Sequence, residues 1–314
     1  MRFFYLKDAD QIEKRMTKTC IVIVGPTASG KTAAAIEVAE YFDTEIISAD
    51  SRQCFTELNI AVAKPTAEEL SLVPHHFINS LSITDNVTAA DFERFALAAA
   101  DKIFEKNNVA VICGGTGLYI KAFTEGLDAI PETDHKIKEV IADGYKREGL
   151  RWLQNKIKET DPLFWEKGEI HNPHRLLRAL EVFMTTGISI IAQQKKIKKM
   201  RPFNIIKVGI EITREVLYDR INCRVDNMRE QGLENEAKLL YPNKELNALQ
   251  TVGYRELFDF FEGKTTREKA FELIKQNSRH YAKRQLTWFK KDGEIIWLPQ
   301  NKILSYLQNK LQKI

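Results

Sequence analysis

The 314-residue chain has few of the features that mark secreted, membrane-spanning or zinc-binding proteins. Its four cysteines lie far apart and form no Cys-x-x-Cys pair, which argues against a zinc site and predicts buried free thiols in a reducing compartment. No apolar run approaches the roughly 20 residues that cross a bilayer, and residues 1–18 lack an export signal. We therefore expect a cytoplasmic globular protein with no membrane partner and, by default, a monomer.

Charge is unevenly distributed along the chain, although the net charge is only +4. Residues 135–201 carry 15 Lys and Arg against 8 Asp and Glu, and residues 275–291 carry six basic residues and no acidic one. A solvated helix face would explain either run alone. Two such runs in one chain favour a polyanionic partner.

Short β-branched strands alternate with helical segments in the first part of the chain, which predicts an α/β fold with a doubly wound parallel sheet. After Pro131 the pattern becomes nearly all helical and basic, and a strand-like segment follows it. We therefore predict a catalytic core made of residues 20–132 and 202–300, interrupted by a helical insertion domain at 133–201. The predicted strands are 20–24, 45–49, 109–113, 204–212 and 294–298, and the predicted core helices are 33–42, 86–106, 214–240, 253–262 and 266–290.

A phosphate-binding loop (P-loop) motif, G-x-x-x-x-G-K-[ST], follows the first predicted strand and precedes a helix. Glycines let the backbone wrap around a phosphate, and successive N–H groups at a helix N-terminus attract its charge. The lysine adds a positive charge, and the final hydroxyl can bind Mg²⁺. The residues are Gly25, Pro26, Thr27, Ala28, Ser29, Gly30, Lys31 and Thr32.

The acid that usually holds magnesium in P-loop nucleotidases is missing from its expected place, because the strand at 109–113 runs into Gly114 and Gly115. The acid at a strand end is instead Asp50. Since the carboxyl ends of parallel strands line one crevice, we expect Lys31, Asp50 and Thr116 to meet at one site. Asp50 could be a metal ligand or a general base.

Several further motifs, together with the P-loop, resemble the tRNA dimethylallyltransferases, also called isopentenyl-tRNA transferases. They occur in family order over about residues 20–290. The matching segments are Ile47-Ser-Ala-Asp-Ser-Arg-Gln53, Ala63-Lys-Pro65, Pro74-His-His76, Gly114-Gly-Thr-Gly-Leu-Tyr119, Asn172-Pro-His-Arg175, Arg178-Ala-Leu-Glu181, Val252-Gly-Tyr-Arg-Glu256 and Tyr281-Ala-Lys-Arg-Gln-Leu-Thr-Trp288.

The chain departs from the family pattern near its predicted site. Ala61 and Val62 stand where the family usually has Gly and Thr, and Asn79 replaces an Asp. None of these changes removes a residue that the chemistry requires.

The resemblance implies transfer of a dimethylallyl group from dimethylallyl diphosphate to N6 of adenosine 37 in tRNA, beside the anticodon. It implies that the P-loop and Arg224 bind the donor's diphosphate, with Mg²⁺ as cofactor near Thr32. Asp50 would accept the proton of the adenine amine, Thr116 would hydrogen-bond the bridging oxygen of the donor, and Lys31 would stabilise the departing diphosphate.

The resemblance also implies contacts with the tRNA anticodon stem-loop, whose target base must leave the stack to reach the donor. The positions that match tRNA-contacting family residues, or that suit stacking and phosphate contacts, are Asp50, Ser51, Arg52, Gln53, Thr116, Lys138, His174, Arg175, Arg178, Gln250, Gly253, Tyr254, Arg255, Lys283 and Arg284. Two other functions remain open at this point. One is an ATP-dependent small-molecule kinase, and the other is a non-catalytic RNA-binding protein.

Overall fold

The computed structural model describes residues 18–128, 130–195 and 197–312, which divide into two compact units. The first unit combines the chain up to Thr124 with the chain from Met200 onward, and the second comprises Glu125–Lys199. The second unit thus starts earlier than residue 133, at the last residue of a helix and just before the chain turns at Gly126 (φ 78°). The segment examined for an export signal lies almost wholly outside the described residues.

The first unit is built on a six-stranded sheet in which every neighbouring pair is parallel, as predicted. The strand order is β3-β2-β4-β1-β5-β6. All residues of the central strand β1 are buried, because helices cover both faces of a doubly wound sheet. The strands are β1 (Thr19–Val24), β2 (Ile46–Ser48), β3 (His75–His76), β4 (Val109–Gly114), β5 (Asn204–Ile210) and β6 (Ile296–Leu298).

The helices of this unit begin with α1 (Lys31–Tyr41), which follows the P-loop. The others are α2 (Ala67–Leu72), α3 (Ala89–Phe104), α4 (Gly117–Glu125), α9 (Arg214–Glu230), α10 (Leu233–Leu240), α11 (Tyr254–Phe261), α12 (Arg267–Phe289) and α13 (Ile303–Leu311). Short 3₁₀ turns occupy Tyr241–Asn243, Asn247–Leu249 and Gln300–Lys302. No helix within the described ranges has both the length and the apolar character that spanning a membrane requires.

An apolar cluster covers each face of the sheet. On one face, α1 and α13 pack against alternate residues of the central strands, including Ile21, Val111 and Val208. On the other face, α3, α4, α11 and α12 pack against residues such as Val22 and Ile112. The sequence did not predict α13, whose Ile303 and Leu307 are buried, so the core extends beyond residue 300.

The second unit has its own apolar core, centred on Leu153, Ile157 and Leu180. Its helices are α5 (His135–Thr160), α6 (Pro162–Lys167), α7 (Pro173–Thr186) and α8 (Ile190–Gln193). Asn172 caps α7 by accepting hydrogen bonds from the N–H groups of His174 and Arg175, and Gly187 in the left-handed region ends it. The unit is helical throughout its regular elements, as its sequence pattern indicates.

Two expectations need correction. The single helix predicted for 214–240 is two helices, because Gly232 adopts a left-handed conformation (φ 94°) between α9 and α10. The cysteines are not all buried, because Cys223 is exposed on α9 whereas Cys20, Cys54 and Cys113 are buried. The strand β3 and helix α4 had no clear sequence signal, since β3 has only two residues and α4 follows directly on a glycine-rich loop.

Candidate active site

The P-loop turns tightly between β1 and α1. Gly30 has a positive φ of 91°, and a Cβ there would lie 2.3 Å from Oε1 of Gln300, so the position requires glycine. The side chain of Lys31 folds over the loop, and its Nζ lies 3.4 Å from the carbonyl oxygen of Pro26. The loop therefore presents the N-terminus of α1 and a lysine ammonium on the same side.

Asp50 follows β2 and is held by the turn that comes after it. Its Oδ1 accepts hydrogen bonds from the backbone N–H groups of Arg52 (2.9 Å) and Gln53 (3.3 Å). Within the part of the chain that the structure describes, Oδ2 has no hydrogen-bond partner. The carboxylate is thus fixed through one oxygen and keeps the other available to a substrate.

Thr116 belongs to the loop that follows β4, the strand beside β2 and β1. Its N–H donates to the carbonyl of Ala49 (3.1 Å), and its Oγ1 accepts a hydrogen bond from the N–H of Ser51 (3.1 Å). The Thr116 hydroxyl therefore lies one residue from Asp50. These two hydrogen bonds join Thr116 to the residues on either side of Asp50.

One cavity joins the P-loop with Asp50, whereas Thr116 is not among its lining residues. Its lining includes Thr27, Lys31 and Thr32 from the P-loop, together with Asp50, Arg52 and Arg224. Asp50 is the only acidic residue among the lining residues, against three cations. The rest of the lining is mixed. Its apolar residues include Ala61, Val62, Ile221, Val225, Met228, Val252 and Ile274, and its polar residues are Gln53, Thr251, Ser278, Tyr281 and Gln285.

Burial changes the acid–base properties of the cations in this cavity. Desolvation lowers the pKa of Lys31, and the nearby Asp50 carboxylate partly offsets that effect. Desolvation likewise lowers the pKa of Arg224, again opposed by Asp50. Lys31 and Arg224 are half-buried, and a partly desolvated cation is costly without a counter-charge, so this cavity is suited to a strongly anionic ligand with an apolar part.

A second cavity is lined by Thr116 and Arg52. Its lining includes Ser51, Thr84, Asn86, Tyr119 and Asn247. Arg52 also lines the first cavity, so the two spaces share a wall at the Asp50–Gln53 turn. Such an arrangement can receive two substrates from different sides.

Some predicted tRNA contacts have structural roles that their sequence does not reveal. The prediction that Tyr254 stacks on a base is wrong, because the side chain is fully buried and its hydroxyl donates to Glu236 (2.7 Å). The amide nitrogen of Gln53 donates to the carbonyls of Val62 (3.3 Å) and Ala63 (3.0 Å), so this side chain supports the cavity wall.

The other residues predicted near this loop are placed as follows. Gln250 donates its side-chain amide to the carbonyl of Lys244 (2.7 Å), and Gly253 has φ 105° and packs closely on Ala61. Arg255 is exposed at the start of α11. Lys283 and Arg284 are exposed on α12, where the Arg284 guanidinium lies over the Tyr281 ring.

In the second unit, Lys138, His174 and Arg175 are exposed, and Arg175 pairs with Glu169 (2.8 Å). Arg178 is more constrained than predicted. It donates to Thr133 Oγ1 (3.0 Å), to the carbonyl of Pro131 (3.4 Å) and to Glu181 (3.4 Å). Its role within the unit is therefore partly structural.

The departures from the family pattern have local explanations. Val62 lines the first cavity, and Asn79 accepts a hydrogen bond from Lys64 (2.5 Å) while holding a positive φ of 50°. Lys64 also donates to the carbonyls of Phe55 and Thr56, so a neutral Asn79 side chain is sufficient to complete its hydrogen bonds.

Sequence reasoning missed two side chains that shape the site. The Glu236 carboxylate accepts hydrogen bonds from the N–H groups of Ile60 (2.8 Å) and Ala61 (3.1 Å). These bonds hold one wall of the first cavity in place. Gln285 connects the P-loop with the loop of Thr116. Both act on partners distant in sequence, so no local pattern identifies their function.

Comparison with known proteins agrees with this geometry. Residues 53–292 match the family described as IPP transferase. The tRNA dimethylallyltransferase of Christiangramia forsetii is 48% identical over 300 residues, covering 94% of this chain and 99% of that protein. That of Cytophaga hutchinsonii is 45% identical over 301 residues, covering 95% and 99%.

Solved structures show the same relationship. The tRNA isopentenylpyrophosphate transferase of Bacillus halodurans superposes with a TM-score of 0.69 at 35% identity, covering 94% of this chain and 97% of that one. A eukaryotic dimethylallyltransferase, described as acting on tRNA, superposes with a TM-score of 0.73 at 26% identity, covering 90% and 74%. The chain belongs to the IPP transferase family.

Proposed function

We propose that the protein transfers the dimethylallyl group of dimethylallyl diphosphate to N6 of adenosine 37 in tRNA. The products are N6-(dimethylallyl)adenosine and diphosphate. The observation that carries the proposal is the first cavity, where a P-loop, two further cations and one carboxylate share a lining with apolar side chains. A diphosphate bearing a short hydrocarbon chain matches that combination.

The donor's diphosphate binds at the P-loop. Backbone N–H groups at the N-terminus of α1, the Lys31 ammonium and the Arg224 guanidinium surround the negative charge. Their interactions with the diphosphate become stronger as the allylic C–O bond breaks, because the negative charge on the leaving diphosphate then increases. Apolar residues such as Ile221, Val225 and Met228 receive the isoprenoid chain.

The acceptor amine meets Asp50. The lone pair of N6 is delocalised into the adenine ring, so the amine is a poor nucleophile until its proton is removed. As the N6–C1 bond forms and the C1–O bond breaks, Asp50 accepts the N6 proton through Oδ2, the oxygen not engaged by the turn. Thr116 hydrogen-bonds the bridging oxygen of the leaving group. General-base assistance of this kind contributes roughly 10²–10⁴-fold.

Mg²⁺ fits this site as a partner of the diphosphate. Within the described residues no group of three or more His, Cys, Asp or Glu side chains could hold a metal by itself. Magnesium commonly takes most of its ligands from phosphate and water, and Thr32 would supply a hydroxyl oxygen in the same cavity. The ion would neutralise charge on the diphosphate.

The tRNA anticodon loop approaches through the second cavity, and the target adenine leaves the stack to reach Asp50. Arg52, Ser51 and the exposed cations Lys283, Arg284 and Arg255 contribute contacts. Exposed basic residues of the second unit, including Lys138, His174 and Arg175, contact the phosphate backbone of the stem.

The small-molecule kinase is not favoured. A kinase would need a magnesium-binding acid after β4, where this chain has Gly114 and Gly115. The relatives and solved structures that match most of the chain carry transferase descriptions of the tRNA-modifying class.

The test is direct. Purified protein is incubated with dimethylallyl diphosphate, Mg²⁺ and unmodified tRNA, and the digested nucleosides are analysed by mass spectrometry. We expect a mass gain of one dimethylallyl group on adenosine, lost when adenosine 37 is replaced by guanosine. ATP in place of the donor serves as the control. Phosphorylation of a small molecule, or no modified nucleoside, would overturn the proposal.

A further inference from the structure

We propose that Gln285 is a positioning residue that holds the P-loop and the loop of Thr116 at a defined separation, so that donor and acceptor meet correctly aligned. The inference rests on the proposed function. It concerns a residue on α12, outside both the P-loop and the Asp50 turn.

The side-chain amide of Gln285 joins two loops through both of its polar atoms. Its Oε1 accepts a hydrogen bond from the backbone N–H of Thr27 in the P-loop (2.8 Å). Its Nε2 donates to the backbone carbonyl of Gly115 (3.0 Å), directly before Thr116. The residue is only 6% exposed, so solvent competes little for these bonds.

Close packing supports the same function. A Cβ at Gly115 would lie 2.2 Å from Nε2 of Gln285, and one at Gly117 would lie 2.2 Å from Cδ1 of Trp288. The Tyr281 hydroxyl also lies near the Thr116 side chain. Tyr281, Gln285 and Trp288 are spaced i, i+4 and i+7, so one face of α12 contacts the loop on both sides of Thr116.

The connection continues from Thr116 to the carboxylate. The Thr116 Oγ1 accepts a hydrogen bond from the N–H of Ser51, which follows Asp50 in the chain. A hydrogen-bonded path therefore runs from the donor-binding Thr27, through Gln285 and Thr116, to the backbone beside the proposed general base. Backbone pairing of β1 with β4 ends at Val24 and Gly114, before both loops. Beyond that point, Gln285 is a side-chain link between them.

Both polar atoms of Gln285 are engaged with backbone, which is why we assign it a positioning function. A displacement of the reacting atoms by about 1 Å can cost roughly 100-fold in rate. We therefore expect Gln285→Leu to lower the single-turnover rate at saturating substrates by about 10–100-fold. Although Gln285 also lines the donor cavity, both of its polar atoms are engaged with backbone, so the dissociation constants for donor and tRNA should change by less than about threefold.

The matched control is Thr44→Val. Thr44 is 5% exposed, and its hydroxyl donates to the carbonyl of Val109 (2.5 Å) where β2 and β4 begin, at the opposite end of the strands. This variant also removes one buried bond between two elements, and its single-turnover rate should match that of the wild type. Gln285→Asn, whose shorter side chain reaches neither partner, provides a second variant if leucine prevents folding.

Coupling to Thr116 distinguishes positioning from general stability. If Gln285 acts through Thr116, the rate loss from Gln285→Leu should shrink in a Thr116→Ala background. The inference would be overturned if the rate losses of Gln285→Leu and Thr116→Ala simply multiply in the double variant. It would also be overturned if the Gln285 variant has the wild-type rate per folded molecule. Either result would leave the proposed function intact. A wild-type protein that transfers no prenyl group would instead refute the proposed function.

Discussion

The two compact units of the molecule treat positive charge in different ways. In the first unit, Lys31 and Arg224 line a cavity, and burial lowers the pKa of both groups. In the second unit, Arg175 is exposed and paired with Glu169. Removing a cation from water costs several kcal/mol unless an anion compensates, whereas an exposed pair is nearly neutral in energy.

This difference shows that the number of basic residues is a poor guide to chemistry. Residues 135–201 have the larger excess of basic over acidic residues, yet the structural features suited to binding and charge stabilisation in a reaction lie in the first unit. Exposed cations can bind a polyanion and release it, with an affinity that depends on salt. Half-buried cations beside one carboxylate are suited to stabilising charge that develops during a reaction.

The sharpest test of the buried site is Asp50→Asn, compared with Asp50→Ala. The asparagine oxygen can still accept the N–H groups of Arg52 and Gln53, so the turn is retained while the base is lost. We expect turnover to fall by roughly 10²–10⁴-fold in both variants with tRNA affinity nearly unchanged, measured by single-turnover transfer and filter binding. An active Asp50→Asn enzyme would show that the carboxylate serves only to hold the turn.

Neutralising the half-buried Lys31 should have the next largest effect. Lys31→Ala removes a charged contact worth about 1.5–3 kcal/mol, so the donor's Michaelis constant or dissociation constant should rise by about 10–100-fold. Lys102→Ala, which removes an exposed lysine on α3, is the control and should leave donor binding unchanged. Equal donor affinity in both variants would remove Lys31 from the diphosphate site.

Donor binding should weaken at alkaline pH because of the lowered pKa of Lys31. Burial favours loss of the proton, so as pH rises the ammonium is lost before an ordinary lysine would lose it. Diphosphate binding favours the charged form, so the dissociation constant should increase with pH. Calorimetry across a pH series in buffers of different ionisation enthalpy measures this proton uptake. In the Lys31→Met variant the donor's dissociation constant should depend less on pH. The same pH dependence in the variant and the wild type would contradict this prediction.

The exposed cations of the second unit should give a smaller effect. Replacing Arg175 and Arg178 with Gln should weaken tRNA binding several-fold and reduce the salt slope of log K by about 1 for each phosphate contact removed. Arg175→Gln alone is the cleaner variant, because Arg178 also holds Thr133 and Pro131. Arg94→Gln, at an exposed position on α3, is the control. An unaltered salt slope would show that these arginines do not contact RNA.

The smallest expected effect concerns Tyr254. Tyr254→Phe removes the hydrogen bond to Glu236 and should lower stability by about 1 kcal/mol while tRNA affinity is retained, since the ring is buried. Thermal denaturation and filter binding distinguish this from base stacking. A large loss of tRNA affinity in a stable variant would restore the stacking interpretation.

Local patterns were sufficient for much of the fold. Buried strands such as β1 and β4 are short β-branched runs, and the P-loop occupies eight consecutive residues, so both are visible without tertiary information. The break at Gly232 was missed because a single glycine within a helical pattern is often tolerated. Strand β3 was missed because two residues carry no periodicity.

The candidate site divides in the same manner. Lys31, Asp50 and Thr116 follow strand ends, which parallel strands bring together, so the sequence predicts their meeting at one site. In the structure Lys31 and Asp50 line one cavity, and Thr116 reaches the Asp50 turn through the N–H of Ser51. Whether a given aromatic or amide faces a cavity or the interior was not predictable. Tyr254 and Gln53 were assigned to RNA from polarity and position, yet their polar atoms bind other parts of the chain.

By itself, the sequence determined a parallel α/β core with an anion-binding loop, a carboxylate at a neighbouring strand end and a basic helical insertion. These features depend on residues close together in the chain or on periodic burial. Only the tertiary structure decided which cations are buried, how Glu236 holds the wall at Ile60 and Ala61, and how Gln285 joins Thr27 to Gly115. Those contacts connect residues far apart in the chain, and their energies depend on burial that folding alone creates.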